Sequence, residues 1–459
     1  MESVSSKYGC IDVGTTSVKL AVYDEGLNTL YFEAINTQIG EDGTHDPNQI
    51  LSCVRHLILK AKEQGARSVG LATYRASMVA WNREGRPLSG VLTWLSPKSA
   101  HTYRRLPAHV RLIGRIPPLN LVISANSPAL RYLTLWEETR GKRGGADDTV
   151  IWTLESFLVY ALTHRYVGDA TNSAMTGFVD PASLKPISAV SALLGVKPDI
   201  PEIVGNTEHI GDYEGVEINA LAADQQAACV GDACLGEGMV KVTNGTGTFV
   251  DIVCGGYRRV GGLIPLVVAK HGKTIIHGVE GYLPTTGLAV DLLRSMGVVG
   301  DYSDLDAPPE GDVVFIPALA GLQLPSKPWA RGTIHNLGLN SGKRSLITAL
   351  LKSIAFHVKM VVDRSGITPK TVRANGKLSK SDGLLRLISA CLGHPVERQE
   401  DVEATLRGLT LLQLIGEGRV DFTRLEETRK EVEVIRGDSL HISAEEYAKW
   451  VSTLQSLKS

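Results

Sequence analysis

The chain has 459 residues, with 48 Lys and Arg against 49 Asp and Glu and a formal net charge of −1. That length exceeds one ordinary core and implies two domains, while the neutral balance leaves no broad basic face for nucleic acid. No continuous apolar run reaches the roughly 18 residues of a membrane span, the opening MESVSSKYG lacks a signal-peptide segment, and six scattered cysteines make neither a disulfide framework nor a zinc set. The expectation is a cytoplasmic, globular chain of enzyme size, with Cys229 and Cys234 as small buried residues.

From residue 8 to about 100 strands and helices alternate. YGCIDVG, VKLAVYD and LYFEAINT read as strands. DPNQILSCVRHLILKAKEQGA reads as a helix: Asp46 caps it, Pro47 suits the first turn, and Ile50, Val54, Leu57 and Ala61 share a face. SVGLATY and MVAWNREGRPLSGVLTWL continue as strands with a turn at NREG. Helical patterns dominate from about 120 to 165, in SPALRYLTLWEETR and LESFLVYALTHR. Near residue 216 the pattern restarts. GMVKVTNGTGTFVDIVCGG is a strand, a Gly-Thr turn and a strand, echoing IDVGTTSVKLAV at the start of the chain. Two such turns, each heading one half, suggest two similar domains. Helices follow at about 345–365, 381–393 and 403–416, and a last one opens on a Ser443–Glu446 capping box. His335, in a loop, and His357, in a helix, have no cluster at ligand spacing, and Trp81 and Trp136 read as core.

The Gly-Thr turns carry the first chemical signal. Their backbone N–H groups and hydroxyls can meet phosphate oxygens, and glycine lets the main chain approach closely; the alternative is a plain hairpin turn. Asp12 suits Mg²⁺ held through water, and Lys19 adds a cation. There is no G-x-x-x-x-G-K-[ST] loop. In ALAADQQAACVG, Asp224 stands at the start of a small-residue helix. It is either an ordinary cap or a general base that takes a proton from an attacking hydroxyl.

Six segments in order, DVGTTSVK, ADQQAACVG, VTNGTGTF, EGYLPTTGLAVDLLR, FIPALAGLQLP…ARGTI and ANGKLSKSDGLLRLISACLGHPV, resemble the FGGY carbohydrate kinases from about Tyr8 to about Gly418. The resemblance implies an α/β fold of two actin-like (ribonuclease-H-like) domains with an interdomain cleft that takes ATP and sugar. It places residues 1–216 in an N-terminal domain with the sugar side and first phosphate hairpin, and 217–459 in a C-terminal domain with the nucleotide side and catalytic base. It makes Asp12 the Mg²⁺-associated aspartate, and Thr15, Thr16, Ser17 and Lys19 contacts to the β- and γ-phosphates. Asp224 becomes the catalytic base beside a substrate contact at Gln225. Thr246 and Gly247 fall in the second phosphate loop, Gly287 and Asp291 against nucleotide, and Gly376, Lys377 and Ser381 beside the adenosine. A homodimer is a further implication, with no nucleic-acid or membrane partner.

The substrate side departs from the family pattern. Arg75 and Trp94 match, but Ala76 stands where glycerol kinases have glutamate, Leu95-Ser96 replace Gln-Asp, and the Met-His-Gly of xylulokinases is absent. Losing an acceptor carboxylate costs about 1–3 kcal/mol when the group it served stays buried, so a larger or cyclic polyol or sugar suits the opened space. Lys377 stands at the family's second glycine. The reading is an ATP-dependent sugar or polyol kinase; the alternative is an actin-like ATPase or sugar-sensing homologue without kinase activity.

Overall fold

A computed structural model of the chain describes residues 6–117, 119–140, 148–307, 309–399, 403–429 and 432–457. It is an α/β protein divided into two compact units. The first comprises Met1–Leu235, Leu266–Ile276 and Glu403–Thr428, and the second Gly236–Pro265, His277–Val402 and Arg429–Ser459.

In the first unit, β1 (Tyr8–Val13), β2 (Ser17–Tyr23) and β3 (Thr29–Asn36) form an antiparallel meander. Helix α1 (Pro47–Glu63) follows, with Asp46 accepting from the Asn48 N–H at 2.9 Å and the expected face of Ile50, Val54, Leu57 and Ala61 buried. β4 (Ser68–Thr73), β5 (Gly211–Tyr213) and β6 (Val216–Ala223) complete a sheet in the order β5-β6-β4-β1-β2-β3. β4 lies parallel to β1 on one side and to β6 on the other. Val13 and Ala223 are both in register with Thr73, so the three parallel strands end level.

The expected boundary at 216/217 does not follow these compact units. It would detach β6 from β4, the parallel partner with which it shares a buried ladder. The chain instead leaves the first unit after Leu235 and returns to it at 403–428, which puts Asp224 with Asp12 in the first unit.

The returning segment forms a helix, Ala404–Gly416, across one face of this sheet. Its Gln413 amide donates to the Gly9 carbonyl at 3.0 Å and accepts from the Ser68 hydroxyl at 2.7 Å, and Thr410 meets the Cys10 thiol. Beside it lies helix α2 (Asp224–Gly231). The two cross with no room for side chains: a Cβ on Gly408 would fall 1.8 Å from the Ala227 oxygen, and one on Gly231 2.0 Å from the Ala404 oxygen. Backbone packs on backbone there, so glycine is dictated at both positions.

The second unit repeats the motif with β7 (Met239–Asn244), β8 (Thr248–Cys254), β9 (Thr274–Leu283, in this unit from His277 on), β10 (Thr371–Asn375), β11 (Val396–Gln399) and β12 (Val432–Ile435), which follow the spatial order β9-β8-β7-β10-β11-β12. Helices α3 (Thr286–Ser295), α4 (Lys343–Ser365) and α5 (Asp382–Leu392) accompany it. One row of side chains runs in register across five strands: Glu280, Asp251, Lys241, Arg373 and Glu397. Lys241 is fully buried, 3.8 Å from the Asp251 carboxylate, and Arg373 meets Glu397 at 3.1 Å. A slip of one residue would drive these charges into the apolar face, so the row pins the register.

α4 is long and apolar enough to cross a bilayer by length and composition, but 78% of its most apolar window is buried. Its His357 is a core residue, held well below the ordinary imidazole value, at about 4, by burial. His335 ends a short strand, Thr333–His335, paired with Val314–Ile316, rather than lying in a loop. Trp81 is core and Trp136 is half-buried.

The Gly408 crossing is directly testable. Gly408→Ala should destabilise at the upper end of the about 1–3 kcal/mol typical of overpacking, lowering the first unit's melting temperature by about 5–10 °C in calorimetry. An unchanged melting temperature would contradict the backbone contact.

Candidate functional site

The level ends of β1, β4 and β6 gather the first set of polar groups. Asp12 lies in register with Ala72 on one side and Lys19 on the other. The face it shares with Cys10 is the one the Ala404–Gly416 helix covers. After Val13 the chain turns through Gly14, Thr15 and Thr16 into Ser17, closed by the Gly14 N–H on the Ser17 carbonyl at 2.9 Å. Thr16 is exposed at the tip, and Thr15 and Ser17 are half-buried. Asp224 begins α2 directly beyond β6. Its Oδ1 accepts the Gln225 N–H at 2.7 Å, and its carbonyl accepts the Thr405 hydroxyl at 3.3 Å. The Ala223 N–H just before it donates to Thr171 Oγ1 at 2.8 Å, and the Thr171 hydroxyl in turn donates to buried Asp169.

This placement crowds negative charge. Asp12 Oδ1 is enclosed without a hydrogen-bond partner. Burial, then the nearby Asp224 and, less strongly, Glu403 push the Asp12 carboxyl up to about 7, against the pull of Lys19. Lys19, expected as a phosphate contact, is held here by Glu403, with Nζ 2.9 and 2.8 Å from its two oxygens. Glu403 escapes sequence reading because its only local signal is one acid ahead of an apolar helix. Its neighbours come from almost the full chain length away.

On the same unit, Arg75 follows β4 by two residues, with Nη1 3.7 Å from Met175 Sδ. Ala76, the departure from the family glutamate, sits at φ 60°, in the left-handed region. Trp94 is half-buried and Leu95 exposed. Behind both loops lies Arg131, a buried arginine that sequence reasoning misses. The available signal is a lone charge inside the apolar run Ala129–Leu135.

The second unit gathers the other expected residues around the turn from β7 to β8. The Gly245 N–H donates to the Gly247 carbonyl at 2.8 Å, leaving Thr246 exposed at the tip. The Gly287 N–H, at the start of α3, donates to the Thr246 carbonyl at 2.9 Å, and a Cβ on Gly287 would come within 2.4 Å of the Gly245 oxygen. Gly376, at φ 87°, abuts the Asn244 carbonyl in the same way. Lys377 Nζ stands 5.7 Å over the Tyr302 ring. Asp291 lies one turn beyond Gly287, exposed and paired with Arg294 at 2.7 Å. Ser381 is structural: it caps α5 through the Leu384 N–H at 3.0 Å and donates to Asp306 at 2.9 Å.

Comparison with known proteins matches residues 7–231 to the FGGY family of carbohydrate kinases, N-terminal domain, and residues 247–417 to its C-terminal domain. The chain belongs to the FGGY family of carbohydrate kinases. Among curated relatives, this FGGY chain is 28% identical to an uncharacterized sugar kinase of Archaeoglobus fulgidus, over 90% of this chain and 93% of that one. It is also 28% identical to a glycerol kinase of Citrifermentans bemidjiense, over 90% of each. Among solved structures, glycerol kinase of Plasmodium falciparum with ADP superposes with a TM-score of 0.85 at 22% identity, covering 98% of this chain and 97% of that one. A ligand-bound xylulose kinase of Lactobacillus acidophilus gives 0.83 at 16% identity, covering 98% and 96%. The fold is that of two actin-like, ribonuclease-H-like domains.

The family implies a divalent cation, and the residues present fit one. Asp12 offers a hard oxygen donor with an enclosed, unpartnered atom in a field made negative by Asp224 and Glu403. Among the described residues no group of three or more His, Cys, Asp or Glu side chains could hold a metal by itself.

The burial of Asp12, and after it the neighbouring charge, has a pH signature. The folded Asp12 carboxyl holds its proton up to about 7, against 3.8 for the ordinary group, so folding loses stability as pH rises from about 4 to about 7. Asp12→Asn removes that loss. In chelator, the variant should be more stable than wild type by on the order of 2 kcal/mol at pH 8, with the gap closing towards pH 4. Denaturant melts at both pH values check this, and a gap that is constant with pH would contradict it.

Proposed function

We propose that this chain transfers the γ-phosphoryl group of ATP to a hydroxyl of a small sugar or polyol, with Asp224 as the general base. The observation that carries the reading is the pair of carboxylates at the level ends of β1 and β6, in a chain of the FGGY family. One has an enclosed oxygen without a partner, and the other sits at a helix start, where it can take a hydroxyl proton. The relatives named glycerol kinase support a small polyol or sugar as the acceptor class, and a ketose or cyclic polyol is proposed from the space opened by Ala76.

In this reading Asp12 would hold Mg²⁺ through water, and the bound ion would screen the phosphate charges. Thr15, Thr16 and Ser17 on the first unit offer hydroxyl and main-chain N–H donors to phosphate oxygens; on the second unit Thr246 and Gly247 offer a like set, their turn braced by the Gly287 N–H on the Thr246 carbonyl. Lys19 adds charge once it exchanges Glu403 for a phosphate oxygen. Asp291, Gly376, Lys377 and Ser381 belong to the nucleoside end, Ser381 through its cap rather than by contact. Arg75, Trp94 and Gln225 orient the acceptor, and Asp224 takes the proton as oxygen attacks phosphorus in line. Holding two reactants in register is most of what such a site must do, because phosphoryl transfer needs little covalent help from the protein.

The acceptor side supports something other than glycerol. Ala76 removes the carboxylate that would accept from a polyol hydroxyl, and Leu95 makes the wall beside Trp94 more apolar. The same departures favour the second reading, an actin-like ATPase or sensor without an acceptor.

ADP release measured against about thirty sugars and polyols separates the two, since one member should stimulate the kinase and none the ATPase. With that acceptor, Asp224→Asn should lower kcat by more than about 100-fold and leave ADP affinity within about threefold. Near-normal turnover in the variant would remove Asp224 as the base.

A further inference from the structure

Arg131 is among the largest fully buried side chains of the molecule, 1% exposed on a helix, Pro128–Thr139, whose neighbouring buried positions are Ala129, Leu130, Tyr132 and Leu133. A guanidinium keeps its charge at any accessible pH, so it must be matched by acceptors wherever it is buried. Here its three nitrogens fan out to three main-chain carbonyls. Nε donates to Thr93 at 3.1 Å, Nη1 to Ala76 at 2.6 Å and Nη2 to Asn126 at 2.7 Å.

Each carbonyl belongs to a different loop. Ala76 directly follows Arg75, Thr93 directly precedes Trp94, and Asn126 precedes Ser127, which caps the arginine's own helix. A left-handed alanine such as Ala76 costs about 1–2 kcal/mol relative to ordinary backbone. It persists only where its surroundings hold it, and the shortest of the three bonds is to its carbonyl. Lysine could not replace this fork, because one ammonium on a flexible stem is a point charge rather than three donors at fixed angles.

We infer that Arg131 is a positioning residue that ties the Arg75 and Trp94 loops to one rigid helix and so determines which acceptor the site takes. This rests on the kinase reading for its consequence, but not for its geometry. Arg131 touches no reacting atom. It acts through the two peptides that aim Arg75 and Trp94.

The test uses the full chain with Arg131→Met and Arg131→Lys, the second keeping the charge in case the first does not fold. Hydrogen exchange should show amides of residues 74–78, 93–96 and 124–127 losing protection by about tenfold or more, with those of β1 and β6 unchanged. ADP affinity should stay within about threefold of wild type, while KM rises about tenfold or more, with kcat less affected, for whichever of glycerol and D-xylulose supports turnover. Unchanged exchange in the three loops, or protection lost equally in β1 and β6, would overturn the inference. If neither probe is phosphorylated by wild type, that counts against the kinase reading for these acceptors, and the exchange result alone decides Arg131.

Discussion

Two carboxylates are forced into each other's field, and most of the first unit is arranged around that fact. Asp12 stands on β1 and Asp224 directly beyond β6, and β4 between them sets both strands to end at the same level. Alanine at position 72 leaves space beside Asp12, and the helix crossing at Gly408 and Gly231 sets the depth of α2. None of this relieves the repulsion. Burial first, and the Asp224 charge after it, hold the proton on Asp12 up to about 7, which is costly for folding and useful only if something positive arrives.

That cost explains why the helix Ala404–Gly416 matters beyond packing. It brings Glu403 to Lys19, fixing the nearest cation, and Thr405 to the Asp224 carbonyl. A segment far along the chain thereby completes a site begun at residue 12. The second unit builds its own donor cluster by the same means: glycines at 287 and 376 admit main chain to within contact of the Gly245 and Asn244 carbonyls, where any side chain would collide.

Much of this is legible in the sequence, and the pattern of what is not is instructive. The hairpins, α1 with its Asp46 cap, and the Ser443 capping box follow from period and local hydrogen bonding, which a short window contains. The family resemblance rests on six ordered segments, and the family match extends across both halves. The placement of β6 and of the 404–416 helix is hidden because periodicity says which face of an element is apolar and nothing about which neighbour covers it. Lys19 reads as a phosphate contact, and its pairing with Glu403, which arrives from the other end of the chain, lies outside any short window. Ser381 reads as a nucleoside contact although serine ahead of an apolar helix is an ordinary cap, and the structure uses it so. Arg131 is easily overlooked because an arginine in an apolar run resembles an interruption; its role depends on three carbonyls that only the fold assembles.

In the proposed reaction these neighbouring carboxylates divide their labour, Asp12 answering to the cation and Asp224 to the acceptor. Equilibrium ADP binding with magnesium and with chelator, in wild type, Asp12→Asn and Asp224→Asn, tests it most directly. Magnesium should tighten ADP binding in wild type and in Asp224→Asn, and the tightening should disappear in Asp12→Asn. A magnesium effect that survives in Asp12→Asn, or vanishes in Asp224→Asn, would contradict it.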